Sequence, residues 1–434
     1  MNPAPRGTLT SGTIARFWSP LAATWVMMAL EGPLIAATIA RLPEAKINLA
    51  SHGVVFAIAI LVEAPVIMLL TAATALVRDR ESYRKLRLFT HGLNVLATLM
   101  VVVLLVPAVF EPLFSGLLAL PREVADIIYG ALWIYLPWPG AIGYRRFIHG
   151  VMIAAGQTRQ VAIGTVFRLV AMAGTAFALP ALTDLHGAWV GAAALTTGVC
   201  VEAVAARIMA TGSIRRMLAT SPEESGVAPM GYRSILAFYY PLALTSLVAL
   251  ATHPILTFLV GRARDPLESL AVLPVVHSLS FLFRATGLSY QEAAIALTGN
   301  DLEHRRPVGR FALRMGLATT AGYALIVLTP LFEVWFEVVS GLTPELSGYA
   351  RIPSLVLIPL PALSFWLAQQ SAIMVLRRRT KAITMATALG VVAIVVVFPV
   401  LAWGLGWVGA TSAFVAFLGG RLASNLYLHW SEKR

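Results

Sequence analysis

Among the ionisable residues that lie where charge is costly, inside long apolar runs, seven are candidates for a site. They are Glu31, Glu63, Arg145, Arg146, His149, Arg168 and Arg284. Such groups usually face a protein interior or a water-filled path and mark a functional site. Arg145, Arg146 and Arg168 fall within one stretch, with Arg284 far along the chain. A guanidinium is planar, permanently charged and matched to carboxylate and phosphate oxygens, so these four are read as contacts for an anion. Glu31 and Glu63 are read as ion-coupling groups, since a carboxylate in low dielectric can take up a proton or hold Na⁺. His149 shares a helical run with Arg145 and Arg146 and is placed beside them.

Each assignment has a plainer rival. The arginines can be balanced by Glu63, Glu202 and Glu292, or can snorkel to the inner surface. Glu31 can be a packing group hydrogen-bonded to a neighbour. Glu63 and Arg284 stand 221 positions apart. They can meet across the centre of the molecule, or each can pair locally. Bond-making chemistry finds little support: there is no His/Cys/Asp cluster with metal spacing, no nucleophile elbow and no G-x-x-x-x-G-K-[S/T] phosphate loop. The pattern is that of a non-enzyme without a cofactor.

The elements that hold these residues follow from composition. Hydrophobic residues make up 58% of 434 positions and charged residues 12%; the mean hydropathy is +0.78. A bilayer core takes about 20 helical residues to cross. Twelve stretches satisfy that, near 17–40, 49–77, 88–110, 130–154, 160–182, 187–210, 235–260, 267–297, 309–332, 350–376, 381–403 and 406–430. Runs of this length mean helices, because barrel strands would be about ten residues and alternating. The fold class is an all-α integral membrane protein.

The sequence also repeats. Phe17-Trp18-Ser19-Pro20-Leu21-Ala22-Ala23-Thr24 aligns with Phe238-Tyr239-Tyr240-Pro241-Leu242-Ala243-Leu244-Thr245. Leu136-Pro137-Trp138-Pro139 aligns with Ile358-Pro359-Leu360-Pro361, and Trp189-Val190-Gly191-Ala192 with Trp407-Val408-Gly409-Ala410. Six spans per copy is an even number, so the copies are parallel, related about an axis along the membrane normal. This predicts two six-helix lobes, residues 1–210 and 231–434, joined by a polar linker at 211–230. Each lobe opens with a span carrying two prolines, Pro20/Pro33 and Pro241/Pro254, which should bend or break it.

Charge sets the orientation. The predicted outer segments hold six Lys/Arg: Arg41, Lys46, Arg122, Arg262, Arg264 and Arg351. Of the rest, only Arg145, Arg146, Arg168 and Arg284 are assigned to spans, and the clusters Arg78–Arg87, Arg215-Arg216, Arg305-Arg306 and Arg377-Arg378-Arg379 lie on the other side. The positive-inside rule then puts both termini in the cytoplasm of a plasma (inner) membrane. The net charge of +12 is thereby assigned to topology and anionic lipids rather than to nucleic acid. The lone Cys200 excludes an intramolecular disulfide and packs as a small apolar residue. The first span contains Glu31 and has an internal copy, so it is read as uncleaved.

The repeat resembles the multidrug/oligosaccharidyl-lipid/polysaccharide (MOP) exporter superfamily. Phe238-x-x-Pro241-Leu242-Ala243-Leu244, Pro254-Ile255 and Phe258-Leu259-Val260-x-Arg262 look most like its progressive ankylosis (ANK) family. Phe17-x-x-Pro20-Leu21, Thr24, Glu31, Leu49-Ala50-Ser51-x-Gly53, Pro65, and His149 after Trp138-Pro139 extend the likeness. Gly156-Gln157-Thr158-Arg159 and Gly187-Ala188-Trp189-Val190-Gly191-Ala192-Ala193 also look like the multidrug extrusion (MATE) branch. The resemblance implies two six-helix lobes and, for ANK proteins, export of anions such as pyrophosphate, citrate and nucleotides. The expectation is an alternating-access secondary transporter for a small organic or phosphorylated anion, coupled to H⁺ or Na⁺ and working as a monomer in the lipid bilayer. The rivals are a cation-coupled multidrug extruder, whose cavity should be acidic, and a flippase for a lipid-linked sugar precursor, which needs an apolar groove open to lipid.

Overall fold

The computed structural model describes residues 9–155, 157–219, 231–299, 302–377 and 379–433. Helices account for nearly all of them, and the one β contact among them is an isolated bridge between Arg264 and Val408. Among the described residues, nine helices are long and apolar enough to cross a membrane, ten if Pro344–Val356 and Leu360–Leu376, bent by 43°, make one span. Two further positions complete twelve. The fourth is the pair Arg122–Ile134 and Trp138–Ala154, whose second member carries Arg145 and Arg146; the twelfth is Gly409–Lys433. The protein is a multi-pass membrane protein. Leu96, Leu99 and Val103 of the third span and Val166, Val170 and Phe177 of the fifth are exposed, as residues facing lipid tails would be.

The repeat is visible in the backbone. Glu44 and Asp265, at equivalent positions before the second and eighth spans, both take left-handed φ values, 54° and 51°. Ala119 (φ 53°) and Gly341 (φ 74°) are a second such pair, before the fourth and tenth spans. The Ala188 amide at the start of the sixth span donates to Asn48 Oδ1 at 3.0 Å. The equivalent Ala410 amide donates to Ser269 Oγ, also at 3.0 Å. Each bond satisfies a helix N-terminus that would otherwise bury an orphan donor.

The first and seventh spans break where the prolines dictate. Proline has no N–H and clashes with the carbonyl four residues earlier. Pro33 and Pro254 therefore oppose Ala29 and Leu250, and the helices end at those residues: Ser11–Ala29 then Glu31–Ala40, and Tyr232–Leu250 then Thr252–Val260. Pro20 and Pro241 sit inside continuous helix. The fourth and tenth spans break at Pro137 and Pro359, as their shared motif predicts.

The described residues form two compact units, Met1–Arg41 with Leu259–Arg434, and Leu42–Phe258. Contact thus divides the chain differently from the repeat: the first span packs with the second-half helices and the seventh with the first-half helices. In the discontinuous unit, Trp18 meets Tyr290, Phe311 and Phe365 edge-on at 5.8–6.2 Å, and its Nε1 donates to Ser289 Oγ at 2.9 Å. In the continuous unit, the equivalent Tyr239 donates to the Pro65 carbonyl, and Ser246 Oγ donates to the Ala64 carbonyl at 2.7 Å. Those carbonyls are available because the second span ends its first helix at Ile67, leaving the last C=O groups without helical partners. Sequence similarity records descent, whereas these aromatic and hydroxyl contacts decide packing.

The stretch read as a polar linker begins as helix. Thr211–Ala219 continues from the sixth span with Ser213 and Ile214 buried, and Ser213 Oγ donates to Gln157 Oε1 at 2.6 Å. The remainder of the expected linker, 220–230, lies outside the described residues, as does Gly156.

Candidate functional site

The continuous unit gathers most of the expected residues into one cluster, with Glu202 at its centre. Arg145 and His149 are four residues apart on the fourth span and share a face; Thr165 and Arg168 share a face of the fifth. Glu202 projects from the sixth span with its side chain fully buried. Its Oε2 accepts from Arg145 Nη1 and lies 3.6 Å from Arg168 Nη1. Its Oε1 accepts from Thr165 Oγ1 at 3.5 Å and lies 3.9 Å from His149 Nε2. Two glycines allow this closeness. A Cβ at Gly198 would meet the Arg168 carbonyl and Met172 Cβ at 3.1 Å, and one at Gly164 would meet His149 Nε2 at 3.6 Å and Glu202 Cγ at 3.7 Å.

Glu63 forms the second pole. It is buried on the second span and accepts from Trp138 Nε1 at 3.0 Å. Trp138 is fixed by Tyr135, edge-on at 5.4 Å across the fourth-span break. Arg146 is the strongest charged neighbour of Glu63, ahead of Arg145 and Arg168. It forms no ion pair or hydrogen bond with a described residue, and its Nε is buried without an acceptor. Arg145, Arg146 and Arg168 against Glu63 and Glu202 leave one positive charge in excess. The donors left over on Arg146 are of the kind that match carboxylate or phosphate oxygens.

Arg284 and Glu31 belong to the discontinuous unit. Arg284, near the middle of the eighth span, lies 5.5 Å from the Phe281 ring centroid and 5.2 Å from that of Phe417. Glu31 opens the second segment of the first span, buried, where the helix dipole favours a carboxylate. The neighbouring Gly32 approaches Ser278 so closely that a Cβ would lie 3.0 Å from Ser278 Cβ.

Two further charges belong to these arrangements. Glu202 was weighed only as a counter-charge, although a single carboxylate in an otherwise apolar sixth span was signal enough. Arg421 was grouped with cytoplasmic cations. It stands twelve residues after Gly409, about 18 Å along the helix at 1.5 Å per residue, and so inside the membrane span. Glu292, the third proposed counter-charge, is exposed on the eighth span.

No family model and no curated protein matches the sequence. Solved structures do. A multidrug resistance MATE family transporter of the MOP superfamily, in an inward-facing conformation, superposes with a TM-score of 0.73 at 14% identity, over 95% of this chain and 94% of that one. The lipid II flippase MurJ, in an inward closed conformation, gives 0.72 at 13% identity, over 96% and 87%. A MOP superfamily transporter from Pyrococcus furiosus, described by the reverse polarity of its binding pocket, gives 0.65 at 14% identity, over 98% and 95%. The chain has the fold of MOP superfamily transporters.

Proposed function

We propose that this protein is an alternating-access secondary transporter that exports small organic or phosphorylated anions, of citrate, pyrophosphate or nucleotide type, across the cytoplasmic membrane. The fold supports transport. The observation that carries the anion is the guanidinium of Arg146, which is buried at Nε and has no ion-pair partner among the described residues. A cation extruder would need the opposite balance. The reversed pocket polarity attributed to the Pyrococcus furiosus transporter indicates that the same fold accommodates such a change. In this reading Glu202 holds Arg145 and Arg168 while the site is empty and gives them up to cargo. Glu63 and Glu31 serve H⁺ or Na⁺ coupling, His149 lines the cargo path, and the monomer has both termini in the cytoplasm.

The test is transport in sealed proteoliposomes, with citrate, a nucleotide, ethidium and a lipid-linked sugar compared side by side. Movement of the anions, weakened in Arg146→Gln, is expected. Movement of ethidium alone would replace this reading with multidrug extrusion.

A second reading has one observation behind it. A cavity of about 490 Å³ between the fifth and sixth spans is lined by Phe167, Cys200, Val201, Val204 and Ile208. Phe167 and Val201 directly precede Arg168 and Glu202, so the same two helices carry an apolar groove and the charged cluster. That pairing suits a lipid-linked anion. Flipping of the lipid-linked sugar without citrate transport would favour it.

A further inference from the structure

We infer that the eighth and twelfth spans form a second anion-binding site, separate from the Glu202 cluster, for a small polyanion with phosphate or carboxylate oxygens. His277, Phe281 and Arg284 follow one another on one face of the eighth span, and Phe417, Arg421 and Asn425 on one face of the twelfth. The two stripes meet. Arg284 and Arg421 lie 5.2 Å and 5.1 Å from the centroid of the same Phe417 ring, and His277 lies against the Phe281 and Phe417 rings at 6.1 Å and 6.4 Å.

What the site lacks is a negative charge. Arg284 is 6% exposed, and its Nε is buried with no acceptor. Among the described residues, neither guanidinium has a carboxylate partner or a side-chain acceptor. The electrostatic neighbours of Arg284 are Arg421, of like charge, and Tyr323.

Ring faces attract guanidinium, but a cation–π contact offsets only part of the cost of taking a charge out of water, and two cations on one ring repel. An oxyanion supplies what is missing, bridging two planar donors as paired arginines bridge phosphate. Asn425 adds specificity: its Oδ1 is buried without a donor, so it can accept from a hydroxyl or a protonated oxygen of the same ligand. The oxygens can belong to a soluble anion or to a lipid headgroup.

The inference needs binding only, so it survives or fails independently of transport. Purified full-length protein is heated in detergent with pyrophosphate, with citrate, or with phosphatidylglycerol, and Tm is recorded. At least one should raise Tm in the wild type. A response to pyrophosphate or citrate assigns a soluble ligand, and a response to the lipid alone assigns a headgroup. Arg421→Met should abolish the shift, weakening binding about tenfold or more, and should raise the Tm of the ligand-free protein by removing a like charge. Arg351→Gln, which alters an exposed guanidinium stacked on Phe332 and paired with Glu333, should keep the shift. The site is overturned if none of the three ligands shifts wild-type Tm. It is equally overturned if the shift persists in Arg421→Met, or if that variant is destabilised without ligand.

Discussion

The two units solve the problem of buried arginine in opposite ways. In Leu42–Phe258, Arg145 and Arg168 share Glu202, so two of the three arginines have an acid beside them. In the discontinuous unit, Arg284 and Arg421 rest on Phe281 and Phe417, and neither has a carboxylate partner among the described residues. Equivalent positions explain the difference: Glu63 corresponds to Arg284, Glu202 to Ser424, Arg168 to Gly390, and Arg145 to Leu367. One scaffold has been given a self-neutralising interior in one copy and an uncompensated one in the other. The comparison suggests that compensated charge holds a bundle together, whereas uncompensated charge waits for a ligand.

The sharpest way to break this contrast is Glu202→Gln. It strands Arg145 and Arg168 in the interior, which costs about 3–5 kcal/mol when one partner of a buried pair is removed. Thermal unfolding in detergent should show a large loss, where Arg421→Met shows none. Equal, small effects on both would dissolve the distinction.

Next comes the relation between Glu63 and Arg284. If they meet during the transport cycle, neutralising either should impair transport more than the exchange Glu63→Arg with Arg284→Glu, since a lone buried charge costs several kcal/mol. An exchanged protein no better than the worse single variant would mean that each charge serves only its own unit.

Arg146→Gln sharpens the comparison within the continuous unit. It should cost about 1.5–3 kcal/mol of anion affinity, the range for a charge-assisted hydrogen bond, with Tm unchanged because no ion pair is lost. Arg146→Lys should recover part of it. Unaltered binding of the anion by the Gln variant would remove Arg146 from the site.

A smaller effect concerns the packing that lets the cluster close. Gly198→Ala places a methyl 3.1 Å from the Arg168 carbonyl, and overpacking of this kind costs about 1–3 kcal/mol. Gly174→Ala, on the same unit with nothing within 4 Å of the added carbon, should be neutral. A cost at Gly174 equal to that at Gly198 would show that helix approach at Glu202 is not the reason for the glycine.

Much of this was readable from residue order. The twelve spans, the parallel repeat and the shared break at Pro137 and Pro359 follow from apolar run length and proline placement, which are local properties. Arg145, His149 and Arg168 do lie around one carboxylate, but residue order showed only their depth in the inner half of the first six spans. Membership of the first and seventh spans was not readable, since Trp18 and Tyr239 are chosen by distant partners, Ser289 and Pro65. The partnership of Glu202 with Arg145 was likewise hidden, because side chains 57 positions apart meet only through the packing of the fourth and sixth spans. Arg421 falls inside the predicted stretch 406–430, but its approach to Phe417 and Arg284 depends on how the eighth and twelfth spans pack.

The traded first helices bear on how such a chain arose. A lone six-helix half would leave its opening helix without a bundle, and its bundle without an opening helix. Two identical halves could cure both defects by swapping that helix, as domain-swapped dimers do. Fusing the genes of such a dimer preserves the swap while freeing each copy to diverge in the charges it buries. On this view the covalent joint near 220–230 is dispensable for assembly. Residues 1–219 and 231–434 produced as separate chains in one cell should find each other, and should do so only as a pair.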